Sequence, residues 1–248
     1  MNRRYIIQSG FHETPGSGLS WFYRIWAENT LRYAPDHENV FIVASGGCRP
    51  IEPWLRPNCI GHWIHLQGNL GGSGNILGNK EPVLPYFMPG CPASWMVGLW
   101  LAYINECDFV YKEQDCLCFG DWVEAMYDQI GDKHAIFGNG HIHGIATSVF
   151  MVRHKFIPEF VMAYLLAGPE NMPSRIAEMK IRMLEQRYPE HFCRYDFGYD
   201  VDRPFDPTAK VFTVQKLTPD DLRLLAEHRL VNIEGMPEAV HVFSNHDP

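Results

Sequence analysis

The sequence lacks the features that mark several common classes of protein. Its seven cysteines include no Cys-x-x-Cys pair, which argues against a zinc knuckle. It has no excess of positive charge, since 21 basic residues stand against 29 acidic residues and the formal net charge is −8. A general nucleic-acid binder needs a clustered basic surface, so we expect no nucleic-acid partner. The N-terminus has two arginines before an apolar run too short for the core of a secretory signal, and we expect a cytoplasmic protein.

Charged residues are also missing from residues 82–105, a length of chain that could cross a bilayer. The first half of this stretch contains four helix-breaking prolines, namely Pro82, Pro85, Pro89 and Pro92. Only about 14 residues after the last proline can form a regular helix, which is short of a bilayer span. We therefore predict a fully buried core helix here and no transmembrane segment.

What the sequence does contain is an alternation of apolar strands and helices. Residues 5–8 and 40–44 are short apolar runs that end at serine and glycine, and residues 20–33 between them have apolar side chains at helical spacing. Alternation of this kind is typical of an α/β fold with a mixed, mostly parallel central sheet flanked by helices. Because no repeat or linker interrupts it, we predict a single domain over residues 1–248, with a weakly ordered tail at 236–248.

Two carboxylates follow a later apolar strand, in the segment 109–115 (FVYKEQD). Residues i and i+2 of a strand share a face, so Glu113 and Asp115 are expected to project together from its end. Ligands of α/β sheets bind in the crevice at that end, and hard divalent cations prefer a few carboxylates plus phosphate oxygens. The pair is therefore a candidate site for Mg²⁺ or Mn²⁺ bridging a diphosphate. The alternative is a pair of solvated turn residues that cap the next helix.

Two histidines lie in a glycine-rich segment, residues 138–144 (GNGHIHG). The i, i+2 spacing of His141 and His143 suits metal ligation, and it also suits hydrogen bonding to a sugar or a phosphate. Flanking glycines favour a loop that closes over a ligand. A surface loop whose histidines have no role is the alternative.

The order of these parts resembles the GT-A fold of nucleotide-sugar-dependent glycosyltransferases. The resemblance covers residues 1–165 and depends on a first strand that ends in a turn at 5–10, an Asn-x-Gly loop in 64–71 (IHLQGNLG), and Glu113-Gln114-Asp115 in place of the family's Asp-x-Asp motif. The sequence departs from the family by having Glu at the first acidic position and a proline-rich insertion at 81–92.

The resemblance implies a metal-dependent transfer of a sugar from a nucleotide-diphosphate donor to a hydroxyl acceptor, which is a glycan or another alcohol. It implies a nucleotide-sugar-binding half over residues 1–115 and an acceptor-side half over residues 116–235. It also implies that Asp115 holds the cation directly, and that the cation offsets the charge on the departing diphosphate.

Other positions acquire expected roles from the same resemblance. Ser9 and Gly10 would approach the nucleoside, where a missing side chain allows close backbone contact. Asn69 and Gly71 would lie near the base, the ribose or the sugar. Glu113 would also lie near the ribose or sugar, in addition to its place at the metal.

Two roles stay open in the sequence. An inverting transfer needs a carboxylate base for the acceptor hydroxyl, and the candidates are Asp196 and Glu159, with Asp200 and Asp202 also available. The family commonly supplies a further metal ligand, often a histidine, from its C-terminal part. His228, His241 and His246 are available for that role, and the sequence does not choose among them.

Three other functions are alternatives. A non-catalytic module of the same fold would bind a nucleotide sugar or a glycan without turnover. A nucleotidyltransferase would need a basic glycine loop near the N-terminus, and residues 14–18 (TPGSG) contain no lysine or arginine. A metallohydrolase that uses His141 and His143 would lack the helical His-Glu-x-x-His motif.

Overall fold

The computed structural model describes residues 4–11, 19–34, 39–45, 62–66, 90–140, 144–167, 177–199, 205–215 and 217–236. The strands are β1 (Tyr5–Phe11), β2 (Asn39–Ser45), β3 (His62–Leu66), β4 (Asp108–Lys112), β5 (Cys116–Phe119), β6 (Ala135–Gly138), β7 (Ala146–Val152), β8 (Phe192–Tyr195), β9 (Gly198–Tyr199) and β10 (Phe212–Gln215). The helices are α1 (Leu19–Tyr33), α2 (Gly90–Ile104), α3 (Trp122–Ile130), α4 (Ile157–Leu166), α5 (Ala177–Arg187) and α6 (Pro219–Glu227).

The central sheet has seven strands in the order β3-β2-β1-β4-β7-β6-β8. Strands β3, β2, β1 and β4 pair in parallel, as do β6 and β8, and β7 runs antiparallel to both of its neighbours. A smaller sheet has the order β5-β10-β9. The predicted α/β class with a mixed, mostly parallel sheet is therefore confirmed.

Helices cover both faces of the central sheet, because successive residues of its inner strands are apolar and point to opposite sides. On β4, Val110 belongs to a core shared with α1, α3 and the smaller sheet, whereas Phe109 belongs to a core shared with α2, α4 and α5. In the second core, the ring of Trp95 packs edge-on against Phe150 with centroids 4.9 Å apart. Burial on both sides explains why β4 reads as a continuous apolar run.

The chain order of the sheet reverses between β1 and β4. The chain goes from β1 to β2 and β3 on one side, and then crosses to β4 on the other side of β1. Ligands of open α/β sheets bind outside the carboxyl ends of the strands at such a point. Since Gln8 of β1 pairs with Tyr111 of β4, residues 9–10 and 113–115 emerge at the same edge.

Three local expectations need correction. The strand predicted through residue 115 ends at Lys112, and a turn follows it. Residues 194–207 have a polar, aromatic and acidic composition that predicts a loop, yet they include the end of β8 and all of β9, two short strands that pair with β6 and β10. The helix predicted as fully buried is α2, in which Leu99 is buried but Trp100 is 63% exposed.

The exposed face of α2 shows that an absence of charge does not mean burial on all sides. No helix within the described ranges combines the length and the apolar character needed to span a bilayer. The division of the chain into halves at residue 115 stays a prediction.

Candidate active site

The two predicted carboxylates lie in a turn between β4 and β5, which we call the acidic turn (Glu113, Gln114 and Asp115). The Glu113 N–H donates to the carbonyl of Ser148 on β7 over 2.7 Å. The Glu113 carbonyl accepts from the N–H of Cys116 at 3.0 Å and from the indole Nε1 of Trp26 at 3.1 Å. Residues of α1, β5 and β7 therefore fix the first residue of the turn.

A single amide contacts both carboxylates. Gln215, the last residue of β10, donates from Nε2 to Oε2 of Glu113 over 2.9 Å. The same nitrogen lies 3.3 Å from each carboxylate oxygen of Asp115, whose side chain is buried. Glu113 and Asp115 thus face the same side, as their i, i+2 spacing predicts.

The charge of this arrangement favours a cation. Two carboxylates within reach of one nitrogen repel each other, and the repulsion is stronger in a buried setting than in water. Burial raises the pKa of the neighbouring Cys116 thiol well above its usual value, and both the adjacent Cys118 thiol and the negative charge of Asp115 add to the shift. Cys116 therefore stays protonated and adds no negative charge to the turn.

Gln215 also lines a small pocket of about 10 Å³, the space of a single water molecule. The other walls come from β5, β6, β7, β8, β9, β10 and the residue after β6, namely Cys116, Gly138, Asn139, Ala146, Ser148, Tyr195, Gly198 and Thr213. Asn139 is held by donating from Nδ2 to the carbonyl of Tyr195 over 3.1 Å. Asn139 and Ala146 lie on either side of residues 141–143 in the chain. The predicted contacts His141 and His143 are outside the described residues, but the chain enters and leaves their segment at this pocket.

The end of β1 offers its backbone rather than a side chain. Ser9 is fully buried, and its hydroxyl lies 3.0 Å from the carbonyl of Gly10 and 3.2 Å from the hydroxyl of Tyr23 on α1. A methyl group added at Gly10 would lie 3.4 Å from the hydroxyl of Tyr111. The hydroxyl of Ser9 is therefore held inside the protein, and the nucleoside contacts expected of Ser9 and Gly10 stay predictions.

The structure does not bring the predicted base candidates to the acidic turn through any contact among the described residues. Asp196 is exposed and forms two hydrogen bonds with the Gln129 amide of α3, at 2.8 Å and 3.2 Å. Glu159 is exposed in the first turn of α4, where its charge acts on His134. His228 is exposed at the end of α6, close enough to Asp206 for its charge to act there. Asn69, Gly71, Asp200, Asp202, His241 and His246 lie outside the described residues.

Sequence reasoning missed Gln215. Its signal was available, because residues 211–215 (VFTVQ) form an apolar strand that ends in a polar side chain, like the strand before Glu113. Its partner, however, is about 100 residues away in the chain. Only the pairing of β10 with β5, which aligns Gln215 with Cys116, brings the amide next to Asp115.

The donor set fits a hard divalent cation. Within the described part of the chain, no three His, Cys, Asp or Glu side chains converge to hold a metal. Glu113 and Asp115 supply two carboxylates, and Gln215 supplies an amide whose oxygen faces them when the amide is rotated by 180°. Carboxylate and amide oxygens are ligands that Mg²⁺ and Mn²⁺ prefer.

No protein-family model and no curated protein matches this sequence. Solved structures of similar shape include mouse xyloside xylosyltransferase 1, at 11% identity over 80% of this chain and 87% of that chain, with a TM-score of 0.49. They also include the galactosyltransferase LgtC in complex with donor and acceptor sugar analogues, at 11% identity over 79% of this chain and 75% of that chain, with a TM-score of 0.47. A protein assigned as a glucose-1-phosphate thymidylyltransferase of Bacillus anthracis has 12% identity over 93% of this chain and 96% of that chain, with a TM-score of 0.43. Most of these structural neighbours are glycosyltransferases, and identities of this size bear on the arrangement of strands and helices alone.

Proposed function

We propose that this protein is a metal-dependent glycosyltransferase that moves a sugar from a nucleotide-diphosphate donor to a hydroxyl acceptor. The observation that supports this most is the shared contact of Glu113 and Asp115 with Gln215 at the point where the sheet order reverses. That edge is where open α/β sheets bind nucleotides. Two carboxylates there would repel a bare diphosphate, so they need a cation to recruit one.

Glu113, Asp115 and Gln215 would hold the cation, Mg²⁺ or Mn²⁺. When bound, the cation supplies positive charge that stabilises the diphosphate as a leaving group. The hydrogen bonds that Gln215 donates to both carboxylates direct the two groups toward one point before any cation arrives. On binding of the cation the amide would rotate, so that its oxygen replaces its nitrogen as the atom that faces the site.

The other contacts with the donor and the acceptor are proposed from where the residues lie in the fold or in the sequence. Backbone atoms of Ser9 and Gly10 would contact the nucleoside, because they emerge beside the acidic turn. Asn69 and Gly71 would contact the base, ribose or sugar, as predicted from the sequence. The acceptor, a glycan or another alcohol, would enter beyond Gln215, where His141 and His143 are proposed to contact the acceptor or the phosphates. Asp196 and Glu159 stay predictions for the carboxylate base.

The proposal is tested by measuring thermal stability with a panel of UDP, GDP and dTDP sugars, with and without Mn²⁺. A ligand that binds the native state raises its melting temperature, and we expect at least one sugar nucleotide to do so only when Mn²⁺ is present. Release of the nucleoside diphosphate from that donor would then be followed over time. Stabilisation without any release would indicate a binding module, and pyrophosphate release from a nucleoside triphosphate with a sugar 1-phosphate would indicate a nucleotidyltransferase.

Replacing Gln215 by leucine is expected to weaken Mn²⁺ binding about tenfold, because the carboxylates lose the amide that orients them and that supplies the third oxygen. Titration of the protein with Mn²⁺, followed by the electron paramagnetic resonance of the free ion, measures the dissociation constant. Thr213→Val is the matched control, since Thr213 lies on the same strand and is buried. Equal affinities of Gln215→Leu and the wild type would exclude Gln215 from the metal site.

A further inference from the structure

Helix α1 carries a set of buried polar side chains at the acidic turn. Trp26, Asn29 and Thr30 are almost completely buried, and each has its polar atoms in hydrogen bonds. Burying an amide or a hydroxyl is costly unless a hydrogen bond compensates for the lost water. Elsewhere on the same helix, the buried side chains that face the core include Phe22 and Ile25, which are apolar.

Asn29 joins the two strands that flank the acidic turn. Its Oδ1 accepts from the ammonium of Lys112 over 2.6 Å and from the N–H of Cys118 over 3.0 Å. Its Nδ2 donates to the carbonyl of Cys118 over 2.9 Å. Lys112 is the last residue of β4, and Cys118 lies three residues after Asp115. One amide side chain therefore holds the chain on both sides of the turn.

Lys112 strengthens this connection. Its side chain is fully buried, and its ammonium also donates to Oγ1 of Thr30 over 2.8 Å and lies 4.9 Å from the ring centroid of Trp26. The indole of the same Trp26 donates to the carbonyl of Glu113. Because a buried cation is strongly destabilising when it loses its partners, Lys112 is confined to this position, and Glu113 follows it directly.

Stability alone does not call for this network. Apolar residues of similar volume often replace buried ionic and polar groups with no loss of stability. The hydrogen bonds of Trp26 and Asn29 run from α1 to residues 112–118, and they determine how far apart the two ends of the acidic turn lie. The two carboxylates repel each other, so a turn without these restraints would spread.

We infer that Asn29, together with Lys112 and Trp26, is a positioning residue for the proposed sugar transfer. It holds both ends of the acidic turn so that Glu113 and Asp115 meet the cation and the diphosphate without rearrangement. The inference rests on the proposed function, since it concerns the same metal site.

The test compares a variant that loses the hydrogen bonds of Asn29 and Lys112 with a variant that loses only apolar packing on α1. Asn29→Leu combined with Lys112→Met replaces the amide and the ammonium by apolar side chains of similar size, so no buried charge is left without its partner. Phe22→Leu on the same helix is the control, because it loosens the same core and removes none of the hydrogen bonds from α1 to residues 112–118. For each full-length protein, Mn²⁺ affinity is measured in the presence of UDP, and hydrogen exchange is measured for the backbone amides of residues 113–118.

We expect the double variant to bind Mn²⁺ at least about tenfold more weakly than the wild type, as for other groups that orient metal ligands. We also expect faster exchange at residues 113–118 in this variant. Phe22→Leu should lower the melting temperature and leave both readouts at residues 113–118 unchanged. If the double variant does not fold, Trp26→Phe takes its place, because it removes the indole donor to Glu113 and keeps an aromatic side chain at that position.

The other possible results distinguish a failure of the positioning role of Asn29 from a failure of the proposed function. A double variant with wild-type Mn²⁺ affinity overturns the positioning role and leaves the proposed function standing. An equal loss of affinity in Phe22→Leu also overturns it, because the effect would then follow stability. A wild-type protein that binds neither Mn²⁺ nor UDP overturns the proposed function, and the positioning role with it.

Discussion

Replacing Asp115 by asparagine is expected to weaken Mn²⁺ binding on the order of a hundredfold, because two charges a few ångströms apart near a protein surface interact by several kcal/mol. The side chain keeps its size and loses one of the two negative charges at the acidic turn. Both of its oxygens lie 3.3 Å from Nε2 of Gln215, and only 5% of the residue is exposed. Binding of a sugar nucleotide that depends on Mn²⁺ should disappear with the metal. Glu113→Gln should act in the same direction.

Asp115→Asn should weaken Mn²⁺ binding, but it should not lower the stability of the metal-free protein. Removing one of two carboxylates that repel each other relieves an unfavourable interaction, so Asp115→Asn without metal should melt at or above the wild-type temperature. Mn²⁺ should then raise the melting temperature of the wild type and leave that of the variant unchanged. This pattern distinguishes loss of a binding site from loss of the fold.

A matched control for Asp115→Asn is Asp132→Asn, which removes the same charge from an exposed turn after α3. It should leave Mn²⁺ affinity within about twofold of the wild type, because charges exposed to water and farther apart than the Debye length are screened. Unchanged affinity in both Asp115→Asn and Glu113→Gln would show that the acidic turn holds no metal. The proposed reaction would then lose the observation that supports it.

The acidic turn was predictable because its signal is local. An apolar run followed by Glu113 and Asp115 is visible in seven consecutive residues, 109–115. The shared side of the carboxylates was predicted from the strand rule for residues i and i+2, but the strand stops at Lys112, so it is the turn and its contact with Gln215 that bring the two groups together. The α/β class was predictable for a similar reason, since it depends on the alternation of periodic segments rather than on any one contact.

The surroundings of the turn were not predictable, because they come from distant parts of the chain. Gln215 reaches the carboxylates through the pairing of β10 with β5, two strands of four residues each. Asn29 and Trp26 reach the turn from a helix more than 80 residues earlier. The apolar run that forms β10 is visible in residues 211–215, but its pairing with β5 is not, because a hydrogen bond between distant residues leaves no mark in the local sequence.

The candidate base illustrates the same limit of local patterns. Residues 195–202 (YDFGYDVD) mix aromatic and acidic side chains, as carbohydrate-contacting loops do, and this mixture drew attention to Asp196. The structure ties Asp196 to the Gln129 amide of α3 instead. A pattern of residue types indicates what a loop can do, whereas its place in the fold depends on the strands and helices on either side.

Replacing Gly98 by alanine is expected to destabilise the protein by about 1–3 kcal/mol, the usual cost of forcing extra atoms into a packed core. Gly98 lies in α2 where the helix crosses β1 and β4. A methyl group there would lie 1.9 Å from Oε1 of Gln8 and 2.5 Å from Cε2 of Phe109, both in the sheet. Alanine favours the helical conformation by about 1 kcal/mol over glycine, so the clash must outweigh that gain. Urea unfolding measures the difference in the free energy of unfolding.

The clash with Gln8 can be isolated by a second substitution. Gln8 joins β1 to α2 by donating from Nε2 to the carbonyl of Ser94 over 2.9 Å, and its buried Oε1 has no hydrogen-bond partner among the residues that the structure describes. Gln8→Ala removes the nearer obstacle, so Gly98→Ala should cost less in that background, and the difference is the coupling energy of the pair. An equal cost in both backgrounds would assign the clash to Phe109 and β4. A coupling energy above about 1 kcal/mol would show that α2 packs directly against Gln8, which lies two residues before Gly10 on β1. The packing of this helix would then help to fix the sheet edge at which the nucleotide is proposed to bind.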